Sequence, residues 1–150
     1  ILYIMTRKLS VMETFHKYGE LWSDVEYGPQ GFVFFDRNPS DKRRGVYAFV
    51  SQYGIEKVGK IDNAKGISRR SYQYSRGALL KDASDILWDR TMTGELKGET
   101  LEFYFIHVPD VQEIVCGISL ETAPIRALEL ELSKMARGED SPMRLSGAGN

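Results

Sequence analysis

The chain has 150 residues, 42% of them hydrophobic, and a formal net charge of −1, which is the size and composition of one domain with a real core. Its single cysteine, Cys116, excludes an internal disulfide, and with only His16 and His107 beside it there is no basis for a Cys-rich zinc site. No apolar run approaches the roughly 20 residues that span a bilayer, and the apolar start at residues 1–5 is shorter than a secretory signal, so a cytoplasmic protein without a membrane partner is expected.

Ser10-Val11-Met12-Glu13 matches a capping box and predicts a helix with Met12, Phe15, Tyr18 and Trp22 on one side, ending by Gly28-Pro29-Gln30-Gly31. Residues 32–35 read as a buried strand and 36–44 as a loop around Asn38-Pro39-Ser40. Residues 46–50 and 55–61 flank the turn Gln52-Tyr53-Gly54, which predicts a hairpin over 45–61. A loop at 62–66 leads to a helix over about 67–76, closed near Gly77, and Leu79, Leu80, Ala83, Ile86 and Leu87 fit a second helix. Residues 101–108 alternate as a strand and stop at Pro109; the last helix is expected from the cap Thr122-Ala123-Pro124 to about residue 137. The order of hairpin, helices, strand and helix argues an α+β domain, a small antiparallel sheet with a three-stranded core flanked by helices.

Charge is not evenly spread. Residues 37–76 hold ten basic and three acidic side chains, a net +7, while the remainder carries −8. A basic block in an acidic chain suits a polyanion-binding face, with a solvated Lys/Arg surface as the plain alternative.

The hairpin holds Gly45-Val46-Tyr47 in its first strand and Lys57-Val58-Gly59-Lys60 in its second. Strand residues two apart share a face, so Tyr47 points with Gly45 and Lys57 with Gly59. On the helix that follows, Arg70 and Tyr74 are four apart and share a face that Ile67 ties to the core. These triplets, followed by Ile67-Ser68-Arg69-Arg70-Ser71-Tyr72-Gln73-Tyr74, resemble the GIY-YIG nuclease superfamily, which includes homing, restriction and repair endonucleases. The resemblance covers residues 45–137 as the nuclease-like core, leaving 1–44 as an N-terminal helix and strand addition and 138–150 as a flexible tail. Lys57 stands where the family usually has a tyrosine, and Tyr74 where a histidine is frequent.

The resemblance implies a metal-dependent DNA endonuclease. In it Tyr47 is general base or water-orienting group, Arg70 contacts the scissile phosphate, and a glutamate of the last helix holds Mg2+ or Mn2+. Lys60, and with it Lys57, would hold the phosphate or lower the pKa of Tyr47; Tyr74 completes the set. Hard divalent cations favour carboxylate oxygen, which Glu129 and Glu131 both offer. They lie ~200° apart around the helix, so only one faces a given site. Glu129 is nearer the stripe Ile125, Leu128, Leu132 and Met135 and is the preferred ligand, with Glu131 the alternative. Arg43, Arg44, Lys65, Arg69 and Arg76 are the expected DNA contacts, and Arg37, Arg43 and Arg44 of the 36–44 loop are placed to read bases or only phosphates. The partner is double-stranded DNA; one active site cuts one strand per visit, so a duplex break calls for a dimer or two visits. The competing expectation is a DNA-binding module of the same fold that no longer cuts.

Overall fold

A computed structural model of the protein describes residues 8–77, 79, 86–109, 114–115, 118–119 and 123–145. Cys116, Thr122 and the expected helical residues 80–85 lie outside the described residues. Among the described residues, four α-helices and a five-stranded antiparallel sheet make an α+β fold. No helix among the described residues is long and apolar enough to cross a membrane.

The first helix, α1 (Val11–Tyr18), starts as its sequence dictates. The Ser10 hydroxyl accepts from the Glu13 backbone N–H, and the Glu13 carboxylate accepts from the Ser10 N–H. It buries Val11 and Phe15 and ends at Tyr18, capped by Gly19 and four residues short of the expected Trp22. A Cβ on Gly19 would lie 2.7 Å from the Phe15 carbonyl oxygen and 2.8 Å from that of Phe105, so the chain turns where only glycine fits. Trp22 therefore belongs to β1 (Glu20–Gly28), a strand that the helical spacing of aromatics concealed.

β1 is joined to β2 (Gly31–Phe34), and β3 (Gly45–Ser51) to β4 (Gly54–Ile61) in the expected hairpin. After α2 (Gly66–Ser75) and α3 (Ile86–Met92) comes β5 (Thr100–His107), then β6 (Ile114–Val115), β7 (Ile118–Ser119) and α4 (Ala123–Gly138). The strand order β2-β1-β5-β3-β4 places β5 between the hairpin and β1. The expected sheet of three core strands is thus corrected to five: β1 pairs with the free side of β5, and the residues before 45 extend the same sheet.

The sheet separates two apolar layers. Tyr47, Phe49, Ile61, Phe103 and Phe105 face one side, where Ile67 and Tyr74 of α2 and Leu87 of α3 cover them. Val46, Ala48, Val58, Tyr104 and Ile106 face the other, under Val11 and Phe15 of α1 and Ile125, Leu132 and Ala136 of α4. The period-2 alternation of β3 and β5 sets this division. Within the segment after α4, Pro142–Leu145 form a 3-10 turn that buries Met143 in the second layer.

The 36–44 loop is latched. Asp41 accepts hydrogen bonds from the Trp22 indole (2.9 Å), the Arg43 guanidinium (2.8 Å) and the Arg43 backbone N–H (3.1 Å). Its backbone carbonyl and that of Arg43 accept from the N–H groups of Ser68 and Ile67, seating the start of α2. Burial by itself would raise the Asp41 carboxyl, but the bonds from Arg43 and Trp22 outweigh it and hold the group at about 2, below the ordinary 3.8. A depressed carboxyl stabilises the fold fully above its ordinary pKa and loses that contribution as pH falls through its native one. Because the Asp41 side chain is only 8% exposed, about 2 kcal/mol of stability should be lost between pH 4 and pH 2. Asp41→Asn, followed by urea unfolding at stepped pH, should flatten this part of the profile; an unchanged slope would mean that other carboxylates carry it.

Candidate active site

The register of the hairpin assembles the site. Tyr47 lies directly across from Gly59 on one side and from Phe105 on the other. Its ring runs over Gly59, where a Cβ would sit 2.3 Å from the phenol oxygen. Stacking on Phe103 (centroids 5.2 Å apart) and edge contact with Phe49 and Tyr74 fix that ring. The glycine of the second triplet thus exists to admit the tyrosine of the first. Gly59→Ala should cost about 1–3 kcal/mol by overpacking, because the Tyr47 ring has nowhere to move. It should also reduce cleavage, since the hydroxyl is displaced; a folded Gly59→Ala protein with parental nicking activity would refute the role of this contact.

The Tyr47 and Tyr74 hydroxyls are 2.7 Å apart, and the two residues are 2% and 3% exposed. α2 delivers Tyr74 because Ile67, Arg70 and Tyr74 fall on the helix side that faces the sheet. Arg70 is partly buried, and its Nε, fully buried, has no hydrogen-bond partner among the described residues. A desolvated guanidinium N–H without an acceptor is costly, and such donors suit an incoming anion. Lys57 lies across from Phe49 on the Tyr47 face of β4. A bulge precedes it: Phe49 pairs with Lys57 but Val50 with Ile55, which leaves Glu56 as the extra residue.

Lys60 is placed differently from its expected role. It lies across from Val46, whose side chain faces the opposite layer, and its Nζ is 3.3 Å from the Asp62 carboxylate. β4 therefore presents Lys57 and Gly59 to the tyrosines and Lys60 to the other side. Glu129 also belongs to that other side. α4 packs through Ile125, Leu132 and Ala136 on the layer away from Tyr47, with Glu129 half-buried beside that stripe and Glu131 exposed. The structure brings together Tyr47, Tyr74, Lys57 and the Arg70 helix, and it sets Glu129 and Lys60 across β4 from them. β4 is the edge strand of the sheet.

No group of three or more metal-ligating side chains is present among the described residues. The donor chemistry fits one mode: Mg2+ is commonly held by one or two carboxylates, with waters and substrate phosphate oxygens completing its octahedron. Glu129 or Glu131, on the layer away from Tyr47, would be the carboxylate such a mode needs.

The expected DNA contacts divide as well. Arg43 is committed to internal pairs with Asp41 and, at 2.7 Å, Glu20, and it covers the Phe105 ring; the Asp41 bond raises its pKa further above the ordinary arginine value. Arg44 is partly buried, and its carbonyl accepts from the Val108 N–H. Lys65 and Arg69 are exposed and line an open groove of about 350 Å³ together with Arg37, Lys42, Ser68 and Tyr72. Arg76, exposed at the far end of α2, is not among the residues lining it. Sequence reasoning overlooked Lys42 and Tyr72; the i, i+3 spacing of Arg69 and Tyr72 was the available signal.

No family model matches the chain, and no curated protein matches it. Among solved structures it is similar to the restriction endonuclease HPY188I in complex with product DNA, at 13% identity over 99% of this chain and 98% of that one, with a TM-score of 0.43.

Proposed function

We propose that this chain is a divalent-metal-dependent endonuclease that hydrolyses phosphodiester bonds of double-stranded DNA. One observation carries the reading. The Tyr47 hydroxyl lies over Gly59 and is paired with that of Tyr74, whose helix also carries Arg70 with a buried N–H that has no partner among the described residues. The order of these residues along the chain, which resembles the GIY-YIG nucleases, supports it.

Hydrolysis requires an oriented water, compensation of the charge growing on phosphate and stabilisation of the leaving oxygen. Tyr47 orients the attacking water and accepts its proton, and the bond to Tyr74 fixes the direction of the Tyr47 lone pairs. Lys57, on the same face of β4 as Gly59, would add positive charge for the phosphate. The forked guanidinium of Arg70 binds paired phosphate oxygens. Glu129, with Glu131 as the alternative, would hold Mg2+ or Mn2+, whose Lewis acidity offsets charge on the leaving oxygen.

A second reading, a DNA-binding module that does not cut, is favoured by the placement of α4 on the face away from Tyr47. Supercoiled plasmid separates the two. Nicking with Mg2+ but not with EDTA, lost in Arg70→Ala and Glu129→Ala, supports the endonuclease. Loss in Glu131→Ala but not Glu129→Ala transfers the metal to Glu131. Binding of plasmids of varied sequence without nicking replaces the endonuclease by the binding module.

A further inference from the structure

We infer that the groove between the 37–42 loop and the outer flank of α2 seats the phosphate backbone of duplex DNA beside the site, with Arg37 as its fixed cation and Lys42, Lys65 and Arg69 as its rim. This rests on the nuclease reading for the identity of the polyanion, but its residues and geometry are separate from the Tyr47–Tyr74 pair. Arg37 and Lys42 also lie outside the stretch that resembles the nuclease family.

Four cations line this one groove and none of its lining residues is acidic. Several cations elsewhere are paired within the protein. Arg43 pairs with Asp41 and Glu20, Arg90 with Glu56 and Glu95, Lys60 with Asp62, and Arg144 with Asp140. Among the described residues Arg37, Lys42, Lys65 and Arg69 have no acidic partner. Even Asp41, the neighbour of Lys42, turns its carboxylate away to Arg43 and Trp22. Like charges held together raise the energy of the folded chain unless a polyanion offsets them.

The groove is also built to hold its charge in place. Arg37 Nε donates to the Ser71 hydroxyl (3.0 Å) and Nη2 to the Ser68 carbonyl (2.8 Å), which fixes the guanidinium plane and leaves its remaining N–H donors for an outside acceptor. Tyr72, 44% exposed, lies between two guanidinium groups, with Arg37 at 5.9 Å and Arg69 at 5.6 Å from its ring centre. Cations ordered in advance lose less entropy on meeting phosphate than free side chains do. Arg37 is held by a serine hydroxyl, a main-chain carbonyl and the Tyr72 ring, and no amide side chain lines the groove to read a base edge. The groove's contribution is therefore to affinity and register, and it should be indifferent to sequence.

The test is binding of a duplex of mixed sequence in EDTA, which keeps the DNA intact, followed across 50–200 mM salt by fluorescence anisotropy. Lys42→Gln/Arg69→Gln changes exposed side chains that seat no other part of the fold. It should lower the slope of log K against log salt by about 2 and weaken binding at 50 mM salt at least tenfold. The loss should be the same for duplexes of different sequence. Arg37→Gln, checked for an unchanged melting curve, should remove about one further unit of slope. Parental DNA binding with an unchanged slope in Lys42→Gln/Arg69→Gln would overturn the groove and leave the nuclease reading intact. A loss confined to one sequence would overturn its assignment to phosphate. Absence of both binding and metal-dependent nicking in the parent protein would overturn the groove together with the nuclease reading.

Discussion

Arg70→Met should lower plasmid nicking about 100- to 1000-fold while leaving the melting temperature unchanged or raised. The catalytic loss follows from removing the charged donor that would meet the scissile phosphate, a class of contact worth roughly 3–4 kcal/mol at a transition state. The stability side of the result is the more telling. Arg70 presents a buried Nε without an acceptor, a group whose desolvation is not repaid in the free protein. Methionine keeps the apolar length of the side chain beside Ile67 and Tyr74 and removes that unmet donor. Opposite signs for activity and stability mark a residue kept for binding an anion. If Arg70→Met instead melts well below the parent, Arg70 is structural and the site loses its phosphate contact. Tyr47→Phe should complement it, keeping the ring that stacks on Phe103 but removing the 2.7 Å bond to Tyr74 and the water-orienting oxygen. A loss on the order of 100-fold in cleavage with DNA affinity unchanged is expected.

The largest stability effect should come from Arg90→Ala. Glu56 is 0% exposed and accepts at 2.5 Å from both Arg90 Nε and the Ser51 hydroxyl. Arg90 also pairs with Glu95 and covers the Tyr53 ring, so it pins α3 to the bulge of β4 that precedes Lys57. Removing one member of a buried pair leaves the other charged and unsolvated, which costs about 3–5 kcal/mol, equivalent to a melting shift on the order of 10 °C in a chain this size. The joint change Glu56→Leu/Arg90→Met should recover most of that loss, because an apolar pair needs no compensation. Acid should help Arg90→Ala as well. Burial pushes the Glu56 carboxyl above its ordinary 4.5, against the opposing bonds from Ser51 and Arg90. A carboxyl raised in the native state favours folding fully below its ordinary pKa, and that contribution is lost as pH rises through the native value. Without Arg90 the carboxyl rises further, so the deficit of Arg90→Ala should be largest at neutral pH and shrink as pH falls toward 4.5. Denaturant unfolding of both variants at pH 7 and pH 5 checks this; a deficit independent of pH would mean that lost packing of α3, and not the stranded carboxylate, is responsible.

Local signals in the chain were enough for several elements. The Ser10/Glu13 box set the start of α1, the hairpin of 45–61 followed from alternation around Gly54, and Ile67, Arg70 and Tyr74 shared a face because 3.6 residues make a turn. The site was legible to the extent that it depends on those periods: Tyr47, Lys57 and Gly59 were assigned to common faces from spacing, and the register places them on one side of the sheet. What spacing left open is set by pairing between distant segments. Trp22 fits a helical stripe as well as a strand, and only the partnership of β1 with β5 and the bar to a Cβ at Gly19 decide for the strand. Lys60 is one residue from Gly59, yet that single step moves it to the opposite face, because alternation along a strand is absolute once the register is set. Arg43 and Arg69 are the same side chain in sequence, one neutralised by Asp41 and Glu20 and the other left on an acid-free groove. Residue type and period determine what a side chain offers and which way it points from its own element; the tertiary fold alone determines what stands opposite, and so which charges are paired within the protein and which remain for a partner.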